Sequence, residues 1–220
     1  QDNARTEANL RWLRDESQAH LHVDLIIGLP GEDIVSFAAG FDRLIALNPH
    51  EIQVGILKRL RGAPIDRHTD TFAMRYQPAP PYNVLSTNCI DFAEMQRLAR
   101  FARYWDLIAN AGRFTATMPL LICESPFARF LVLSDWLYEQ TGQTHRIQLP
   151  RLFSLLHQAL TEVLGVTGND AETALVADYA RSGQKGLPAF VTKKTAADNP
   201  VDRRQPATPA RQSRHRKASQ

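Results

Sequence analysis

The residue types most suited to holding a ligand gather in one stretch, His22 to Asp33, which reads HVDLIIGLPGED. Asp24 lies in an apolar, strand-type run, where an unpaired carboxylate is costly to bury. The run stops at Gly28-Leu29-Pro30-Gly31. Two residues without side chains let a ligand approach the backbone closely, and Pro30 stiffens the turn between them. A second apolar run, EIQVGIL, carries Gly55 in its middle with Ile56 and Leu57 beside it, and mid-strand glycine again suits close approach by another group. This chemistry is binding through backbone groups. A plain strand-to-helix turn and helix-on-sheet packing are the competing readings. No residue identifies itself as a catalytic acid, base or nucleophile.

The other reactive side chains are weaker candidates. Cys89 and Cys123 are the only cysteines, in neither a CxxC nor a Cys/His spacing, so they cannot by themselves build a zinc or iron–sulfur site. His20 and His22 alternate along a strand and share a face, yet a third ligand is lacking, so no metal site is expected. His68 has Asp66 and Asp70 for company in a loop, the usual setting of a surface histidine. His157 falls among Leu152, Phe153, Leu155, Leu156 and Leu160, as a structural residue would. Lys58, Arg59 and Arg61 follow the second strand; they read as a solvated cluster or as contacts for an anionic substrate group. Arg97, Arg100 and Arg103 stripe one face of a helix whose aromatics read as core.

These residues need elements to position them. Residues 3–17 read as a helix, His20–Ile27 as a buried strand, and 34–47 as a helix with Phe37, Phe41 and Leu44 at helical period. Glu32 and Asp33 suit that helix's positive N-terminal end, and Asn48-Pro49 ends it. Ile52–Leu57 is the second strand, so residues 1–60 read α-β-α-β, with two parallel strands joined by a crossover helix. Residues 58–88 read as loop. Helices follow over about 92–110, from Ser125-Pro126 to Gln140, over 151–164, and over 171–181 from an Asn169-Asp170 start. The fold class is α/β followed by mostly α.

The chain of 220 residues is 44% hydrophobic and 22% charged, an ordinary globular composition. No apolar run nears the roughly 18 residues of a membrane span, and two cysteines suit a cytoplasmic setting. The formal charge of +3 is concentrated in the last residues. From about Thr195 onward the sequence is too poor in apolar residues to offset ordering entropy and reads as disordered. The absence of an initiator Met suggests part of a longer protein.

HVDLIIGLPGED and LNPHEIQVGILKRLRGAP together resemble the later part of a radical S-adenosylmethionine (radical SAM) barrel, in the flavour of cobalamin-binding members. PPYNVLSTNCIDFAEMQRLARFARYWDLIANAGRF is similar to a helical C-terminal domain of uncharacterised function that follows the barrel in some of these. The resemblance implies the last β/α units of a partial radical SAM barrel over residues 1–62, a helical extension over 63–190 and a basic tail over 191–220. It implies that Asp24 accepts hydrogen bonds from the ribose of S-adenosylmethionine. It implies that Gly28, Leu29, Pro30 and Gly31 line its site and that backbone at Gly55, Ile56 and Leu57 meets its adenine. The family's CxxxCxxC motif and a cobalamin domain are absent from the sequence. The 4Fe-4S cluster and cobalamin are therefore implied for a parent protein, with the rest of that polypeptide as partner and this chain inactive alone. A non-enzymatic helical interaction module is the alternative. Nucleic-acid binding through the tail RRQPATPARQSRHRK ranks below both, because the tail has no aromatic for stacking on bases.

Overall fold

A computed structural model describes residues 3–191. The described residues pack as two compact units, one up to Ala102 and one from Arg103. The boundary expected near residue 62 falls inside the first unit, and the basic tail, apart from Val191, lies outside the described residues.

The first unit opens with α1 (Asn3–Glu16), β1 (His22–Ile27), α2 (Ile34–Ala46) and β2 (Glu51–Ile56). β1 and β2 pair in parallel, from His22 opposite Glu51 to Ile27 opposite Ile56, as the crossover pattern predicts. Asp33 caps α2: its carboxylate accepts from the Ser36 N–H at 2.7 Å, and the Ser36 hydroxyl accepts from the Asp33 N–H at 3.1 Å. Phe37 and Phe41, one turn apart on α2, are fully buried. Phe41 meets Phe101 edge-on at 5.1 Å between ring centroids, a favoured aromatic geometry. None of the described side chains of α1 is buried, and Trp12 stands exposed.

β1 begins at His22 rather than His20. His20 lies outside the strand, its ring 4.6 Å from that of His50. The segment read as loop, 58–88, holds a one-turn 3₁₀ helix (Pro64–His68) and an antiparallel pair, β3 (Arg75–Tyr76) and β4 (Val84–Ser86). Strands of two and three residues are too short for alternation to register in sequence.

α3 (Phe92–Trp105) continues into a single wider π turn, Asp106–Asn110, so the helical stretch ends where the sequence predicts. Its start is capped by Asp91, which accepts from the Glu94 N–H at 2.8 Å. The second unit holds α4 (Met118–Ile122), α5 (Pro126–Thr141), α6 (Leu149–Gln158) with a π turn to Val163, and α7 (Gly168–Arg181). Pro126 and Pro150 occupy first-turn positions, where a missing N–H costs nothing. Gly142 ends α5 in the left-handed region at φ 64°. The cap of α7 is Thr167, two residues ahead of the Asn169-Asp170 start expected from sequence: its hydroxyl accepts from the Asp170 N–H at 3.2 Å. Core rings pack as Trp105 on Phe130 and as Phe114 on Phe153 on Tyr179. Buried Asp178 of α7 accepts from the N–H groups of Ala116 and Thr117 at 3.0 and 2.9 Å and from the Thr117 hydroxyl at 2.6 Å. Arg181 pairs with the same carboxylate.

Candidate functional site at the ends of the parallel strands

Because side chains alternate along a strand, the register divides the β1–β2 sheet into two faces. Val23, Leu25, Ile27, Ile52, Val54 and Ile56 share one. His22, Asp24, Ile26, Glu51, Gln53 and Gly55 share the other. The second is the polar face, and Asp24 stands on it 63% exposed. The carboxylate is therefore not a buried group on an apolar strand. Its partner is His22, whose Nε2 lies 3.0 Å from Asp24 Oδ1, while His22 Nδ1 lies 3.6 Å from the buried Glu51 carboxylate. Asp24 is thus within reach of a ligand hydroxyl, with one oxygen already engaged.

Gly28 and Gly31 have backbone φ of +87° and +77°, which side chains rarely tolerate. Gly28 is also buried by the chain itself, whereas Gly31 stays exposed with one ring beside it. A Cβ at Gly28 would lie 2.7 Å from Val84 Cγ1 and 3.1 Å from Met95 Cε; one at Gly31 would lie 3.1 Å from Phe72. The space that the missing side chains leave is thus occupied by β4, α3 and the loop before β3. Leu29, at the tip, is 40% exposed, and Pro30 is half-buried. The Gly55 position has Ile26 Cδ1 at 3.4 Å, while Ile56 and Leu57 are half-buried.

Where β1 ends, residues 82–84 take over beside the exit of β2. Leu57 N–H donates to Ile27 O at 2.9 Å; Val84 N–H then donates to Leu57 O at 2.8 Å and Arg59 N–H to Tyr82 O at 3.0 Å. A bridge between Lys58 and Asn83 completes this short antiparallel stretch. Arg59 lies over the Tyr76 ring, 5.1 Å from its centroid, with Asp66 3.8 Å from its Nε. Burial pushes the Tyr76 hydroxyl above its ordinary range, helped by the nearby Asp66 charge and opposed by Thr69 and Arg59.

Glu32 is the residue that sequence reasoning undervalued. It reads as a first-turn acid, but it lies before the Asp33 cap and folds back on the Gly28–Gly31 turn. Burial, the largest effect, pushes its pKa up against the backbone groups of Leu29 and Gly28, which favour the ionised form. One of its oxygens, Oε2, is buried without a hydrogen-bond partner. Asp33 moves the other way, its carboxylate held below the ordinary range by the Ser36 N–H and hydroxyl. No short-range pattern signals the Phe72, Val84 and Met95 cover, because it depends on residues 41 to 67 positions away in the chain.

The donor set does not suit an iron–sulfur cluster. Cys89 and Cys123 are both free and exposed, and among the described residues no three His, Cys, Asp or Glu side chains converge on a metal position. Nor does any helix among them have the length and apolarity to cross a membrane. A family model described as a protein of unknown function (DUF4080) matches residues 70–215, more than half of the chain. No curated protein matches it.

Proposed function

We propose a function from the premise that the chain belongs to the DUF4080 family of proteins of unknown function: it is the C-terminal portion of a cobalamin-binding radical SAM enzyme of the cytoplasm. The observation that carries this reading is the β1–β2 sheet. Parallel sheets are normally wide and covered on both faces, yet this one has only two strands among the described residues. Its polar face carries Asp24, Gln53 and Gly55, and its strands end on the Gly28–Gly31 turn. In α/β barrels such strand ends line the site. The sheet is then the last part of a barrel whose remaining strands come from elsewhere in a longer polypeptide.

In that setting, Asp24 accepts from the ribose hydroxyls of S-adenosylmethionine, oriented by His22. Backbone at Gly55, Ile56 and Leu57 meets the adenine, and Leu29 and Pro30 form the rim. The covered Gly28 holds the turn's shape instead of receiving the ligand directly, while exposed Gly31 lies on the rim. When bound, S-adenosylmethionine supplies a radical through reductive cleavage. The residues of this chain do not fit the 4Fe-4S cluster, so cluster and cobalamin belong to other parts of the parent, and the chain alone is inactive.

The test is to locate the parent reading frame, reconstitute the encoded protein with iron and sulfide under reducing conditions, and assay 5′-deoxyadenosine. Release of the nucleoside, reduced at least about tenfold by Asp24→Ala through loss of charge-assisted hydrogen bonds, is expected. A parent frame without CxxxCxxC, or a reconstituted protein that releases no nucleoside, overturns the reading in favour of a non-enzymatic interaction module.

A further inference from the structure

The stretch from Lys58 to Arg75 has five Lys/Arg against two Asp, whereas the rest of the described chain has thirteen Lys/Arg against eighteen Asp/Glu. A net +3 segment thus stands on a body that is otherwise −5. The fold brings this segment to the end of the parallel strands. The exit of β2 is hydrogen-bonded to the last residue of β1 and then, on the same side, to residues 82–84. β3, carrying Arg75 and Tyr76, pairs with β4 directly beyond those residues. The 3₁₀ turn brings Asp66 to within 3.8 Å of Arg59.

We infer that this basic rim, centred on Arg59 with Arg61 and Arg75 from the same segment, binds a small molecule bearing two or more phosphate or carboxylate groups, next to the candidate cofactor face. Arg59 is the anchor. Its guanidinium is held over the Tyr76 ring, so little side-chain freedom is lost when it engages a ligand. Its one carboxylate partner, Asp66, is 65% exposed at a long 3.8 Å, and exposed pairs of this kind are worth little. An incoming anion therefore exchanges for Asp66 at small cost. Lys58, Arg61 and Arg75 are exposed and make no ion pair among the described residues. Strand alternation carried past β2 puts Arg59 on the same face as Gln53 and Gly55. An anion at Arg59 is then presented from the side where the cofactor would lie.

Only the placement of this anion beside a cofactor rests on the reading above. Anion binding itself requires no radical chemistry, so its failure and the failure of nucleoside release are separate results. The test is calorimetric titration of inorganic pyrophosphate and of citrate into the whole 220-residue chain at low ionic strength. Saturable binding is expected, weakened at least about tenfold in Arg59→Gln and in the Arg61→Gln/Arg75→Gln pair, as for loss of charge-assisted contacts. Arg151→Gln, on α6, should bind as the parent chain does. Arg59→Lys keeps the charge but loses the planar fork, and should fall between. Preference for pyrophosphate assigns the phosphate class and preference for citrate the carboxylate class; either supports the rim. No saturable binding, equal binding by the Arg59 and Arg61/Arg75 variants, or binding confined to long duplex DNA overturns it.

Discussion

Gly28 is constrained twice, by a backbone angle of +87° and by Val84 and Met95 standing where a Cβ would go. Left-handed backbone costs a side-chain-bearing residue about 1–2 kcal/mol, and forcing a methyl group into a packed site costs about 1–3 kcal/mol more. Gly28→Ala should therefore lose about 2–5 kcal/mol in denaturant unfolding. A loss under 1 kcal/mol would mean that the cover over the turn is loose. Glu32 and Asp33 make a second residue-scale prediction, with opposite signs. The carboxyl of Glu32 titrates above its ordinary 4.5, so the folded chain holds that proton more tightly than the unfolded chain. Its favourable contribution is full below 4.5 and is lost as pH climbs through the raised value. Asp33 titrates below its ordinary 3.8, so its contribution is present above that value and is lost as pH falls through the lowered one. Melting temperatures followed from acid to neutral pH should show Glu32→Gln losing the decline on the alkaline side of the glutamate range. Asp33→Asn should lose the decline on the acid side. Matching profiles for the two variants and the parent would show that neither group is coupled to folding.

At the scale of elements, Asp178 joins α7 to the turn before α4. Asp178→Ala removes the acceptor of the part-buried Ala116 N–H and of the buried Thr117 N–H and hydroxyl. A loss of roughly 3–5 kcal/mol is expected, as when one partner of a buried charged network is removed. Circular dichroism should show it as an earlier loss of helix, and a variant that melts with the parent would refute it. Legibility in sequence followed the range of the forces involved. α2 was readable because its cap and its Phe37/Phe41 face are local patterns, and β1 and β2 because apolar runs flank a crossover helix. The start of α7 was misplaced because Thr167 and Asn169-Asp170 are all acceptable capping residues and only geometry chooses among them. β3 and β4 were invisible because so few residues pair. At the candidate site the break from strand to turn was legible, but the exposure of Asp24 on a polar face was not, because it follows from the pairing of β1 with β2. The Arg59–Tyr76 stack and the cover over Gly28 were not legible either, since both join segments that are distant in sequence.

At the largest scale, the parallel sheet has two strands among the described residues, which leaves pairing groups along the outer side of β1, and such edges invite further strands. The chain by itself should therefore associate with rising concentration in sedimentation velocity. Val23→Lys, which places a charge on the half-buried apolar face of β1, should lower that association. A chain that stays monomeric throughout would count against an open sheet edge. Phe72, Val84 and Met95 carry a different consequence. All three lie inside the stretch matched by the family, yet Val84 and Met95 close over Gly28 and Phe72 packs beside Gly31, both of which precede it. A chimera that grafts a foreign extension onto these strands would leave the turn uncapped unless the donor brought equivalent plugs, so turn and extension have to be exchanged, or inherited, together.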